Sequence, residues 1–157
     1  MVINALEKKP LTVYGTGKNI RDWLYVEDHR ESIWGVINDG VIGETYNIGG
    51  NCEMENIEVV NTICKVVACE LRAEPYEYKN LITFVQYRAG HDFRYALDTS
   101  KICKEISWQP KESFESGLRK TIRWYINNPV WIDSVKSGSY MEWLENNYGN
   151  RTSKSNQ

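Results

Sequence analysis

Read as apolar and polar positions, the chain divides into short elements of both kinds. "VINALEKK" near the start has helical spacing and is stopped by Pro10. "LTVY" reads as a strand, "GTGKN" as a turn, and "IRDWLYV", residues 20–26, as a second strand. The expected pairing of the two strands is a hairpin across a wide loop. "DHRESIWGVIND" is helical, with Asp28 and Glu31 at capping-box spacing. "ETYNIGG" predicts a strand ending in a glycine pair. Asn56 is the expected cap of a long helix, "IEVVNTICKVVACEL". Its Ile57, Val60, Ile63, Cys64, Val67 and Leu71 fall on one stripe.

Further on, "LITFV", residues 81–85, is an unbroken apolar strand, and "YRAGHDFRYALD" continues as loop and extended chain. "TSKICKEI" is a short helix. "SFESGLRKTIRWYINN" is a stronger one, with Phe114, Leu118, Ile122 and Tyr125 aligned. "SGSYMEWLENNY" predicts a last helix, and the polar tail, residues 149–157, is expected to be disordered. The order is mixed α and β without regular βαβ alternation. The helix feeding "ETYNIGG" raises a physical problem: that strand needs a sheet beside it, and few segments here supply one.

Composition narrows the class. The chain has 157 residues, 41% hydrophobic and 25% charged, the balance of one globular domain. A net charge of −2 gives no general attraction to nucleic acid or an anionic membrane, so any anion site must be local. No apolar run approaches the roughly 20 residues of a membrane span. The first ten residues lack the apolar core of a signal peptide, and a cytoplasmic chain is expected. Cys52, Cys64, Cys69 and Cys103 form no CxxC pair, so free, mostly packed thiols are expected. The 6 Trp and 10 Tyr suit core packing, or a stacking surface for a base or sugar.

The candidate chemistry gathers in two loops. Gly15 and Gly17 match the start of a dinucleotide fingerprint, but Ile20 holds its third glycine position, and the following segment reads as strand. A phosphate loop of the G-x-x-x-x-G-K-[ST] kind also fails, because Asn19 follows Lys18. The plain reading is a turn between strands. Arg21 is either a surface partner of a carboxylate or a fork aimed at phosphate. "RAGHDFRY", residues 88–95, places Arg88, His91, Asp92 and Arg94 around a glycine, directly after an apolar strand. Ligand groups collect at such strand ends. Two histidines with scattered carboxylates make no metal site, and no nucleophile is placed for a triad.

"LTVYGTGKNIRDWLYVEDH", "GETYNIGGNCEMENIEVV", "LITFVQYRAGHDFRYALD" and "KESFESGLRKTIRWYINN" together resemble the C-terminal half of dTDP-glucose 4,6-dehydratase. "VKSGSYMEWLENNY" resembles the family's end. This family is an extended short-chain dehydrogenase/reductase, and "RxGHDxRYAxD" is the motif that separates it from related nucleotide-sugar enzymes. The resemblance implies an α/β fold, with residues 1–148 the substrate-binding part and most of the N-terminal Rossmann domain lacking. It implies the conversion of dTDP-glucose to dTDP-4-dehydro-6-deoxy-glucose and water, in deoxysugar (rhamnose) metabolism, with NAD in the full-length protein. The glycine-rich NAD loop and the Tyr-x-x-x-Lys pair belong to the other half. The chain is therefore expected to lack that pair, to bind no NAD alone and to be inactive alone.

Carried over by resemblance, Thr12, Val13 and Tyr14 line the nucleotide pocket and Arg21 contacts the diphosphate. Asn56 is a polar substrate contact, and Tyr87, Arg88, Ala89, Gly90 and His91 form the substrate loop. Thr12 and Ala89 stand where proline is typical, and Tyr87 where aspartate is typical. The expected partners are a dTDP-sugar and a separate N-terminal Rossmann half. Other readings are a non-catalytic nucleotide-sugar-binding remnant, or part of another nucleotide-sugar epimerase or decarboxylase. The resemblance also implies that helix 28–38 and strand 44–48 rest against the missing sheet, leaving an exposed apolar patch.

Overall fold

The computed structural model describes residues 1–87, 90 and 92–138. The chain divides into two compact units, Met1–Arg123 and Trp124–Gln157. In the first, helix α1 (Val2–Leu6) leads to strand β1 (Leu11–Tyr14), and the glycine loop leads to β2 (Ile20–Asp22). Helix α2 (Val26–Asp39), strand β3 (Glu53–Glu55), helix α3 (Asn56–Leu71) and helix α4 (Pro75–Lys79) follow. Strands β4 (Ile82–Val85) and β5 (Arg94–Tyr95) precede helices α5 (Ser100–Ile106) and α6 (Phe114–Asn127).

The expected hairpin does not form. β1 pairs in parallel with β4, Leu11 opposite Ile82 and Tyr14 opposite Val85. β2 lies in a second sheet, antiparallel to β3 and parallel to β5. The glycine loop therefore carries the chain from one sheet to another. The second strand ends at Asp22, because Val26 already opens α2.

Helix α3 organises the core of this unit. Val59, Val60, Ile63, Cys64, Val66, Val67 and Ala68 are buried along it, beside Ala5, Leu11, Val13 and Tyr78. The buried set is wider than one stripe and omits Leu71, which lies exposed at the helix end. Asn56 is the first residue of α3, and Glu55 is its cap. The Glu58 carboxylate accepts the Glu55 backbone N–H at 3.0 Å, completing a capping box. Far along the helix, Glu70 joins α3 to α6 by accepting from Arg119 and Arg123, both at 2.7 Å.

Other expectations need correction. Asp28 does not cap α2: the helix starts at Val26, and the buried Asp28 carboxylate accepts the Glu112 backbone N–H at 3.0 Å. β3 and α4 were not anticipated, since each is too short to show a period. Cys69 and Cys103 are exposed rather than packed. "ETYNIGG" forms no strand, for it meets no ladder partner among the described residues. The expected C-terminal helix over 137–148 lies, beyond Gly138, outside the described residues, as does the tail 149–157.

In the second unit, helix α7 (Pro129–Ser137) begins with proline in its first turn, where the missing N–H costs nothing. Its Trp131 packs edge-on to Trp124 at 5.0 Å. Among the described residues no helix is long and apolar enough to cross a membrane.

Helix α2 leaves Ile33, Trp34 and Ile37 exposed, Trp34 to 65% and Ile37 to 68%. Val41 and Ile42 continue the apolar stretch past its end, equally uncovered. The chain is expected to bind the apolar dye ANS more strongly than a compact protein of the same size. Trp34→Glu with Ile37→Glu is expected to abolish most of that fluorescence and move Tm by only a few degrees, since both side chains are largely in water. Dye binding no stronger than that of the compact control contradicts the exposed face.

Candidate functional site

Two geometric facts bring the candidate loops together. In a parallel pair both strands run out at the same edge, so the segments after Tyr14 and after Val85 emerge side by side. The Gly15 N–H donates to Val85 O at 2.8 Å, extending the ladder into the turn. Ile20 N–H donates to Phe93 O at 2.8 Å, so the far side of the second loop joins β2.

The glycine loop serves helix α3. Asn56 N–H donates to Asn19 O and Ile57 N–H to Gly17 O, both at 2.9 Å. The third donor of the helix, on Glu58, goes to the Glu55 side chain. With the Glu55 N–H on the Glu58 carboxylate, all four open N–H groups of this helix end are satisfied. Gly17 has φ +74°, and a Cβ there would stand 2.8 Å from Val13 Cγ1 and 2.9 Å from Ile57 Cβ. Gly15 has φ +56°, and a Cβ would meet the Tyr87 ring at 2.7 Å. Both glycines answer to geometry, as the turn reading required.

On β1, Thr12 and Tyr14 are exposed while Val13 is buried, as alternation along a strand dictates. Arg21 donates through Nη1 to Ile20 O at 2.6 Å and through Nη2 to Asp92 O at 2.8 Å. No carboxylate pairs with it among the described residues. Its neighbour Asp22 instead accepts the Gly50 and Cys52 N–H groups, at 2.8 and 2.7 Å. A guanidinium has five N–H donors, so three on Arg21 bond nothing among the described residues. Asn56 sits one residue beyond Glu55, which pairs with Ile20, and its side-chain amide makes no hydrogen bond among the described residues. Tyr87 lies between Gly15 and Asn19, while a Cβ on Gly90, at φ +71°, would meet nothing within 4 Å among the described residues. Arg88, Ala89 and His91 lie outside the described residues.

Asn19 was missed by sequence reasoning. It is 2% exposed, and its Nδ2 donates to Tyr87 Oη at 2.7 Å and to Asp92 O at 3.0 Å. Within "GTGKN" it read as an ordinary turn residue, and nothing local signals its burial.

A second feature flanks this cluster. An open cavity of about 420 Å³ is lined by Asp22, Trp23, His29, Ile48, Tyr95 and Leu97 among others. None of the described carried-over residues lines it. Asp22 follows Arg21 on the strand, and successive strand residues face opposite sides. Trp23 Nε1 is buried without a hydrogen-bond partner among the described residues. Glu53 and Arg94 reach across β2 from the outer strands as a bidentate pair, at 2.6 and 2.7 Å. The Arg94 hydrogen bond holds the Glu53 carboxyl below its ordinary range, and Glu53 raises Arg94. Burial, and secondarily the Asp22 charge, pushes the Cys52 thiol up.

The expectation of no Tyr-x-x-x-Lys spacing is overturned by the sequence itself, for Tyr14 and Lys18 have it. Such a pair shares one face only when a helix carries both residues. Here Tyr14 ends a strand, and two positive-φ glycines intervene.

A profile of the family described as GDP-mannose 4,6 dehydratase matches residues 1–121, and the chain belongs to that family. Its fold is that of the extended short-chain dehydrogenase/reductases. Within that class the chain is similar to dTDP-glucose 4,6-dehydratases: 51% identical over 151 residues to dTDP-glucose 4,6-dehydratase 1 of Escherichia coli K12, covering 96% of this chain and 42% of that protein. The Neisseria meningitidis enzyme is 55% identical over 143 residues, 89% of this chain and 40% of the relative. The chain thus spans about two fifths of the length of these relatives.

Among solved structures, dTDP-glucose 4,6-dehydratase of Bacillus anthracis in complex with NAD is 45% identical, with a TM-score of 0.71 over 83% of this chain and 39% of that one. DesIV of Streptomyces venezuelae, the same class of enzyme, is 38% identical with a TM-score of 0.73, covering 83% of this chain and 38% of its own. The glycine loop of this chain does not fit the pyrophosphate of NAD. It turns carbonyls toward α3, and the helix N–H groups that would meet an anion are already bonded.

Gly17→Ala is expected to destabilise the chain by about 1–3 kcal/mol, because the new methyl group overpacks Val13 and Ile57. Urea unfolding measures this, and an unchanged midpoint contradicts the close approach.

Proposed function

We propose that this chain is the nucleotide-sugar-binding part of a dTDP-glucose 4,6-dehydratase-like protein, over residues 1–148, working in the cytoplasm. The whole protein would convert dTDP-glucose to dTDP-4-dehydro-6-deoxy-glucose and water, in deoxysugar metabolism. The carrying observation is the 51% identity to the E. coli enzyme over 96% of the chain. In this reading Thr12, Val13 and Tyr14 border the nucleoside and Arg21 donates to the diphosphate. Asn56 supplies a neutral donor and acceptor, and residues 87–91 complete the site. The Arg21 guanidinium, held by two backbone carbonyls and with no carboxylate to neutralise it among the described residues, supports the assignment.

No residue described here supplies the oxidation and reduction, so the chemistry requires a second, NAD-binding half. The uncovered apolar side of α2 supports a complementing partner of that kind over a stand-alone binding remnant. Alone, the chain is expected to bind dTDP weakly and to turn over no dTDP-glucose.

A hydrogen bond to a charged group contributes roughly 1.5–3 kcal/mol. Arg21→Ala is therefore expected to weaken dTDP binding by about ten- to a hundredfold in titration calorimetry. Unchanged affinity removes Arg21 from the site. Tighter binding of UDP or GDP than of dTDP would favour a different nucleotide-sugar epimerase or decarboxylase.

A further inference from the structure

Three candidate segments converge on one residue that the family comparison did not single out. The Asn19 backbone carbonyl accepts the N–H of Asn56, at the start of α3. Its side-chain Nδ2 uses one hydrogen on Tyr87 Oη and the other on Asp92 O. Asp92 O also accepts from Arg21 Nη2 at 2.8 Å. A carbonyl oxygen only accepts, so Asp92 settles which end of the Asn19 amide faces it. With the amide 2% exposed, water cannot substitute for either bond.

We infer that Asn19 is a positioning residue of the nucleotide site: it holds Asp92 O where that carbonyl aims the Arg21 guanidinium, and Tyr87 Oη holds the Asn19 amide in turn. This rests on the reading of Arg21 as the diphosphate contact. Asn19 itself touches no ligand. It acts through Arg21, and the physical reason is economy of donors. A long guanidinium stem loses rotamer freedom on binding unless it is already held. Arg21 is held at two N–H groups by carbonyls, and the second of those carbonyls is fixed by Asn19. Its other three donors are left for an anion.

The test uses Asn19→Asp, nearly isosteric but without the donors, and Tyr87→Phe, which keeps the ring on Gly15 and removes only the hydroxyl. Titration with dTDP is expected to show about five- to tenfold weaker binding for Tyr87→Phe, the effect of one lost hydrogen bond, and a larger loss for Asn19→Asp, which gives up both. In an Arg21→Ala background the same changes are expected to add nothing, because the group they position is gone. Effects that multiply in that background, or variants that bind like the parent, overturn the inference. A second arm needs no nucleotide: nitrogen-15 relaxation of the Arg21 guanidinium is expected to show restricted motion in the parent and faster motion in both variants. Equal mobility in all three also overturns it. If the parent binds no dTDP, the proposed function fails, and the guanidinium measurement alone decides the role of Asn19.

Discussion

The start of helix α3 is the constraint on which the remainder rests. A helix end presents open N–H groups, and burying them without partners costs about 1–3 kcal/mol each. Here Gly17 and Asn19 carbonyls take the first two, and the Glu55 side chain takes the third. That arrangement sets the path of the loop. The loop in turn must pass close to Val13 and Ile57, which only glycine at residue 17 allows. It then delivers Asn19 into the interior and Arg21 onto β2. A stretch that looks like a worn phosphate cradle is a helix cap made of carbonyls. In the proposed function, a link to a nucleotide would run through the residues it places, Tyr14 before it and Arg21 after it.

The second sheet is a small assembly of charges and carbonyls more than of apolar faces. Asp22 anchors the Gly50–Cys52 turn through two backbone donors. A Cβ on Gly50 would lie 1.8 Å from Trp23 O, so the glycine pair of "ETYNIGG" belongs to this close approach. The Glu53–Arg94 pair clamps the outer strands over β2, and at such exposure its electrostatic contribution is modest. What it offers is register: Arg21 stays opposite Tyr95 and Met54. Parallel pairs are ordinarily covered on both faces, and the β1–β4 pair leaves Phe84 exposed, as α2 leaves Trp34. These uncovered groups accord with a chain that spans about two fifths of its relatives.

Local pattern made the longer elements legible. α2, α3 and α6 carry helical periodicity over fourteen or more residues, and β1 and β4 carry compact apolar runs. The resemblance named Arg21 and Asn56, which the structure places near one another beside the Gly15–Asn19 loop. Less was legible where partners lie far along the chain. The β1–β2 hairpin failed because each strand found a partner elsewhere, β4 about seventy residues on and β3 about thirty. The cap of α2 lies three residues before Asp28, whose carboxylate is taken by the Glu112 N–H, and the cap of α3 lies one residue before Asn56. "ETYNIGG" had the composition of a strand and no ladder to join.

The sequence by itself determined the family, the identities of the charged and polar groups in the two loops, and the helices whose apolar stripes demand a core. Those properties depend on residue type and short-range spacing, which a linear reading contains. Tertiary structure decided that the glycine loop caps a helix, that Arg21 escapes its neighbouring carboxylate, and that Asn19 is buried at the meeting of three segments. Each of these depends on hydrogen bonds between groups separated by about thirty to seventy residues. No local period encodes such bonds. They exist only once packing has brought the carbonyls and donors within reach.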